Sequence, residues 1–364
     1  MAPRRFVRNF DFGLVLAVAL LVVLGILMVS SATANSPGLE ELPLRQAIYA
    51  GVGFVLLAVG AAVDYRSLTA LRWPLYGAML LFLAGVFTIG QVLHGGQRWI
   101  DVGPVQVQPS ELAKLAFVLV LASFLASRGE AVRGLGTVAL SLALLVPPVV
   151  LIYLQPDLGT ALVLAFVWAA MLFVAGVRLA YLGALGVGAL ALFPFLWPRL
   201  QGYMQRRLLA FLNPAGDPAA SYNVTQALIS IGSGGLFGKG FRHGTQSQLH
   251  FLRIRHTDFI FSVIGEELGL VGCLLVLGLL GFVLWRMLRA AEVARDAQGR
   301  LIAVGLAATL FFQAAVNIGV NVGVVPVTGI PLPFISAGGS SLVTFLFGVG
   351  LVESVLLRRR KIDF

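Results

Sequence analysis

The sequence predicts an all-α polytopic membrane protein of about ten transmembrane helices, and three observations carry that expectation. Hydrophobic residues make up 59% of the 364 positions and charged residues only 12%, with a mean hydropathy of +0.93; a chain so poor in charge lacks the polar cover of a soluble domain. Apolar stretches of about 20 residues, the length a helix needs to cross the hydrocarbon core, recur along its whole length. The connections between them alternate between many arginines and few, which is the charge asymmetry of an oriented membrane protein. Residues 1–364 are therefore expected to form a single transmembrane domain, with one large loop at about 198–257 between the seventh and eighth spans.

The first span is expected at 12–33. Its prelude MAPRRFVRNF resembles the start of a signal peptide, but the apolar core from Phe12 to about Val29 exceeds the roughly 7–15 residues of a cleavable segment. Further spans are expected at 45–63, 70–92, 111–127, 134–154, 157–175, 179–197, 258–285, 300–322 and 337–357. One set of connections and ends then receives Arg4, Arg5, Arg8, Arg66, Arg72, Arg128, Arg133, Arg178, Arg286, Arg289, Arg295 and Arg300, with Arg358, Arg359, Arg360 and Lys361 at the end. The short loops opposite hold only Arg45 and Arg98, so both termini are expected in the cytoplasm. The net charge of +10 is explained by that orientation, and no nucleic-acid partner is expected. The single Cys273 excludes an intramolecular disulfide, and His94, His243, His250 and His256 lack metal-ligand spacing.

The long loop concentrates the polarity. RLQGYMQRRLLAFLNP interleaves arginines with Leu200, Tyr203, Met204, Leu208 and Phe211, the pattern of a helix lying in the headgroup plane. YNVTQALISIG reads as a second short helix ended by Gly232, Gly234 and Gly235. The following SGGLFGKGF is glycine-rich enough for backbone N–H groups to approach an anion, although it lacks the order of a nucleotide-binding loop. Near the end, Pro326, Pro331 and Pro333 prevent a regular helix; that segment is expected to fold back beside a cavity.

Ionisable residues near lipid are functional candidates because their burial is costly. Asp157 in QPDLGT has a helix N-cap as a sufficient role. Glu111 and Lys114 stand at i and i+3 on one helix face, either as a clasp between helices or as a phosphate site. Asp258 opens the eighth span beside Arg253, Arg255 and His256, which favour its ionised form; an N-cap is the competing role. Glu266 and Glu267 lie about two turns further along and need partners or protonation.

GGQRWI, QPSELAKL, QPDLGT, YNVTQALISIGSGGLFGKG, TDFIFSVIGEELG and GIPLPFISAGGSS, in this order between about residues 95 and 345, resemble the signature segments of the SEDS (shape, elongation, division and sporulation) family. The similarity is greatest to its elongation branch, RodA. The resemblance implies a peptidoglycan glycosyltransferase that polymerises lipid II on the outer face of the bacterial cytoplasmic membrane during cell elongation. It also implies a class B penicillin-binding protein as partner, with other elongation-complex membrane proteins. The family's essential aspartate corresponds to Asp258, and its Glu and Lys pair to Glu111 and Lys114. On this reading Asp258 is the general base, and Lys114, Arg98, Lys239, Arg242 and Arg255 are candidates to receive the undecaprenyl diphosphate leaving group. A divalent cation beside the diphosphate is compatible with this scheme, but no carboxylate cluster demands one. Two rivals are a lipid II flippase, which predicts ionisable groups through the midplane and an internal repeat, and a non-catalytic activator of the penicillin-binding protein. Polarity gathered on one face favours the enzyme.

Overall fold

The computed structural model describes residues 9–34, 36–93, 96–102 and 105–359; Arg4, Arg5, Arg8, His94, Arg360 and Lys361 lie outside them. The expected spans appear as α1 (Phe12–Thr33), α2 (Leu42–Ala62), α4 (Arg72–Ile89), α5 (Pro109–Ala126), α6 (Leu135–Leu154), α7 (Leu158–Ala175), α8 (Leu179–Leu196), α12 (Ile260–Glu292), α13 (Ala297–Asn321) and α14 (Gly339–Leu357). A short α3 (Tyr65–Ala70) precedes α4, and the long loop contributes α9 (Gly202–Leu212), α10 (Pro218–Ser233) and α11 (Thr245–Gln248). Among the described residues nine helices are long and apolar enough to cross a membrane, while α8 offers a shorter apolar run, Leu179–Phe195.

Two expectations need correction. The eighth span is longer than 258–285: α12 has 33 residues and bends at Gly269, whose backbone (φ 65, ψ −162) leaves the helical region. Between α4 and α5 the chain also forms strands that the hydropathy pattern did not predict, β1 (Gln91–Leu93), β2 (Gly96–Val102) and β3 (Val105–Val107), an antiparallel meander in the order β1-β2-β3. Ile100 pairs with Val107 and Asp101 with Gln106. The alternation in RWIDVGPVQVQ is the sequence signal for it, and it is too short to register beside spans of about 20 residues.

Helices α5, α13 and α14 form the interior, with α13 packed on α12, α7 and α5, and α14 packed on α2. Lipid is as apolar as Leu, so close packing rather than water exclusion holds such helices together. The α2–α14 contact shows how: a Cβ on Gly350 would lie 2.3 Å from Leu57 O, and one on Gly53 2.3 Å from the Leu346 side chain. At Gly350 the backbone leaves no room for a side chain, and at Gly53 the Leu346 methyl would have to move.

One face gathers the hairpin, the 197–259 segment and the turn before α14, where Arg98 Nε meets Gln155 O, Gln108 N meets Ser340 Oγ and Ala337 N meets His256 O; the described chain ends meet on another, where Arg359 Nη2 donates to Asn9 Oδ1 at 3.1 Å. On the terminal face Asp11 caps α1 through Leu14 N (3.0 Å), accepts from Arg286 Nε (2.6 Å), and donates its own N–H to Glu353 Oε2 (3.0 Å). Helices α1, α12 and α14 are thereby tied together. A second knot joins Arg66 and Tyr65 to Asp296, at 2.6 and 2.9 Å.

Candidate active site

A cavity of about 620 Å3 opens on the hairpin face. Its walls come from β2, the turn before α7, α9, α10, the start of α12 and the segment after α13. Among the described residues its charged lining is Arg98, Arg206, Arg207 and Asp258, three guanidinium groups and one carboxylate. Such a site favours an anion while keeping a single group able to take a proton.

Each of these side chains is placed by local structure. α9 buries Met204 and Ala210, leaves Leu209 and Leu212 exposed, and presents Tyr203 and Arg207 to the cavity. The Tyr203 hydroxyl donates to Pro156 O at 2.6 Å, and burial pushes its ionisation above the usual tyrosine value. Arg207 lies over the Tyr203 ring, 5.5 Å from its centre, and donates from Nη1 to Val327 O at 3.3 Å. Arg98, at the hairpin, donates from Nε to Gln155 O at 2.8 Å. Asp258 does not form the N-cap of α12; that position is Phe259, which makes no side-chain capping bond. Cap duty belongs to other acids: Asp157 accepts from Thr160 N and Thr160 Oγ1 (3.1 and 2.9 Å), and Asp217 from Ala220 N (3.0 Å).

The proline-rich segment after α13 folds back beside this cavity, bringing Pro326 and Val327 to its wall. Gly329, at φ 76, lies near both charged groups. A Cβ placed there would stand 3.9 Å from Asp258 Oδ2 and 4.0 Å from Arg207 Nη1. Acid and guanidinium thus both approach one point of the segment after α13.

The structure brings Asp258 and Arg98 to this cavity and puts the other expected cations elsewhere. Lys239 pairs with the buried Glu266 at 2.9 Å and donates to Thr245 Oγ1 at 2.9 Å. Arg242 donates its N–H to Glu267 Oε2 (3.1 Å) and its Nη2 to Ser30 Oγ (2.8 Å). Arg255 is 6% exposed, its guanidinium bonded to Ala32 O and Ser36 Oγ, and burial holds its pKa below the usual arginine value. Lys114 and Glu111 form a buried ion pair of 2.7 Å beside a separate cavity of about 20 Å3 lined by Phe334, Phe345 and Leu306. That volume is about that of one water and is too small for a diphosphate.

The glycine-rich 234–240 segment is likewise spent on the fold. Lys239 N donates to Glu266 O and Gly240 N to Glu267 O, while Leu270 N and Val271 N return to Gly235 O and Leu236 O. Cβ atoms on Gly234 and Gly238 would fall 1.9 and 2.1 Å from the carbonyl oxygens of Gly265 and Glu267. These glycines therefore let one backbone touch another, where the sequence suggested an anion cradle. Glu266 and Glu267, both fully buried, also accept from Gln246 N and from Ser31 Oγ. Among the described residues no group of three or more His, Cys, Asp or Glu is placed to hold a metal ion.

Sequence reasoning passed over Arg206, Arg207 and Tyr203 as parts of a headgroup helix, and Asn317 and Asn321 altogether. The last two had a signal: amides one helical turn apart inside an apolar span, where polar groups are costly.

Comparison with known proteins gives a consistent result. The chain matches the FtsW/RodA/SpoVE family, described as cell cycle proteins, over residues 12–361. It is 39% identical over 357 residues to the peptidoglycan glycosyltransferase MrdB of Escherichia coli, spanning 98% of this chain and 95% of that one. To a probable peptidoglycan glycosyltransferase FtsW of Geobacter sulfurreducens it is 38% identical over 362 residues, spanning 97% and 96%. A solved chain from a peptidoglycan synthase complex, studied for the structural coordination of polymerization and crosslinking, superposes with a TM-score of 0.83 at 39% identity, covering 95% of this chain and 97% of that one. The rod shape determining protein RodA of Thermus thermophilus superposes with a TM-score of 0.71 at 39% identity, covering 97% and 98%.

Proposed function

The chain belongs to the FtsW/RodA/SpoVE family, and on that premise we propose that it joins lipid II units into glycan in the cavity lined by Asp258 and three arginines. It is a multi-pass membrane peptidoglycan glycosyltransferase of the elongation type. Asp258 is the general base. An acceptor sugar hydroxyl attacks the anomeric carbon of the donor; its proton passes to the Asp258 carboxylate as the new C–O bond forms. The bond from the anomeric carbon to the diphosphate oxygen breaks, and its electron pair leaves with undecaprenyl diphosphate. Arg207, Arg98 and Arg206 receive that charge, which is worth most where water is scarce. Arg98 is one of the cations that the sequence suggested, and Arg206 and Arg207 stand with it in the lining of this cavity.

The observation that carries this reading is that Asp258 Oδ2 and Arg207 Nη1 both lie about 4 Å from the Cβ position of Gly329. One group can take a proton within reach of another that can hold a departing anion. The cavity faces outward across the bacterial cytoplasmic membrane, with both termini inside, and the lipid tails lie along apolar grooves between helices. A class B penicillin-binding protein crosslinks the product, in keeping with the coordinated synthase complex to which the chain is similar.

The test is purified protein in vesicles, given lipid II and no partner. Glycan polymer should form, and Arg207→Ala should abolish most of it while the variant remains folded. Translocation of lipid II without polymer would overturn the assignment in favour of a flippase. Absence of both, with polymer appearing only through a penicillin-binding protein's own site, would leave an activator.

A further inference from the structure

Three consecutive carbonyls lead into α12, and every one is held. His256 O accepts from Ala337 N at 2.9 Å, and Thr257 O from Ser336 Oγ at 2.6 Å. Asp258 O accepts twice, from Asn317 Nδ2 at 3.0 Å and Asn321 Nδ2 at 2.8 Å. Asn317 also donates to Ile330 O at 2.9 Å, one residue beyond Gly329. Asn321 donates its other N–H to Asn317 O at 2.9 Å, and its Oδ1 accepts from Ser262 N and Ser262 Oγ at 3.0 and 2.6 Å. The backbone N of Ser262 can only donate, which fixes the amide orientation of Asn321.

Asn317 and Asn321 are 1% and 0% exposed in a helix that is otherwise largely apolar. Burying two amides there is costly unless their hydrogen bonds are made, and apolar residues would hold α12 and α13 together at less expense. What the amides add is direction: they lock the backbone of one residue, Asp258, and tie it to the segment that carries Gly329.

We infer that Asn317 and Asn321 are positioning residues for the transfer reaction, fixing the Asp258 main chain from α13 and, through Ile330 O, tying it to the segment that brings Pro326 and Val327 to the cavity wall. Neither lines the cavity or touches substrate; both act through Asp258. The inference rests on the proposed role of Asp258 as base. A displacement of about 1 Å in such a group costs about 100-fold in rate, so loosening this clamp lowers turnover far more than substrate binding.

The test uses the full-length protein in vesicles with lipid II. Asn317→Leu removes both donors while keeping the branched outline of the side chain. If it does not accumulate folded, Asn317→Ser, which keeps one donor and admits water, is measured in its place, with Asn321→Leu alongside. The expected result is a kcat reduced about 10- to 100-fold, with KM for lipid II within about twofold of the parent. Ser354→Ala, which removes a hydrogen bond to Val63 O on the opposite face, reports the effect of generic destabilisation and should leave kcat unchanged. An unaltered kcat in the folded variants, or a loss that only tracks the folded fraction, overturns the inference. Asp258→Asn is run beside them. Activity surviving in that variant rejects the base itself, whereas a dead Asp258→Asn with a fully active Asn317→Leu rejects the clamp alone.

Discussion

Gly329 is the residue at which the geometry of the site is most sensitive, because a side chain there would meet both Asp258 and Arg207. Its φ of 76 already disfavours a side chain by about 1–2 kcal/mol. A methyl group there would make ordinary contacts with both charged groups, while a branched one would fill the gap. Gly329→Ala should retain partial polymerisation with a modest loss of thermal stability, and Gly329→Val should lose polymerisation; rates per folded molecule distinguish the two. Equal activity in parent and Gly329→Val would mean that nothing passes between the acid and the guanidinium. At this scale the sequence was only partly legible. Asp258 was one of several acids beside apolar spans, with an N-cap as its competing role, and the resemblance to the SEDS family singled it out as the base. Which cations would meet it depended on how α9 and the segment after α13 fold back, and no local pattern encodes that. Lys239 and Arg242 sit in a loop rich in glycine and charge, but the loop's partners proved to be Glu266 and Glu267.

Among the elements, the spans were the easiest to read, since about 20 apolar residues in a row have few other uses. The bend in α12 was not: it depends on Gly269 meeting the backbone of Leu236 and Gly238, a contact between segments some 30 residues apart. The start of α13 carries a prediction of its own. Asp296 caps that helix through Gly299 N (2.8 Å) and binds Arg66. Burial alone would raise its pKa, but the Gly299 N–H and the Arg66 guanidinium outweigh it and hold the carboxyl below the usual aspartate value. A depressed folded pKa gives stability that is complete above the unfolded value of about 4 and is lost as pH falls through the folded one. The thermal midpoint of the parent should therefore fall more steeply than that of Asp296→Asn as pH drops from about 5 to about 3. Parallel curves would show that the cap and ion pair do not depend on this carboxylate's charge.

For the whole molecule, the division of labour between two cavities is the main consequence. The larger one holds Asp258 and the arginines; the smaller holds Glu111 and Lys114 deep among α5, α13 and α14. A buried ion pair is weak evidence of stability, yet breaking it from one side strands a charge. Lys114→Met should destabilise the protein by about 3–5 kcal/mol, and adding Glu111→Leu should restore most of that loss. Thermal unfolding of both variants in the same vesicles checks this, and a double variant less stable than the single would exclude the clasp role. Resemblance of sequence segments identified the pair, but only the fold separates it from the larger cavity.

The most direct test concerns Asp258 itself. Purified Asp258→Asn, reconstituted with lipid II, should bind the substrate with near-parental affinity and release no undecaprenyl diphosphate while forming no glycan polymer. Binding intact and chemistry lost is what a base on the cavity wall requires. Polymer made by Asp258→Asn at the parental rate would contradict the account.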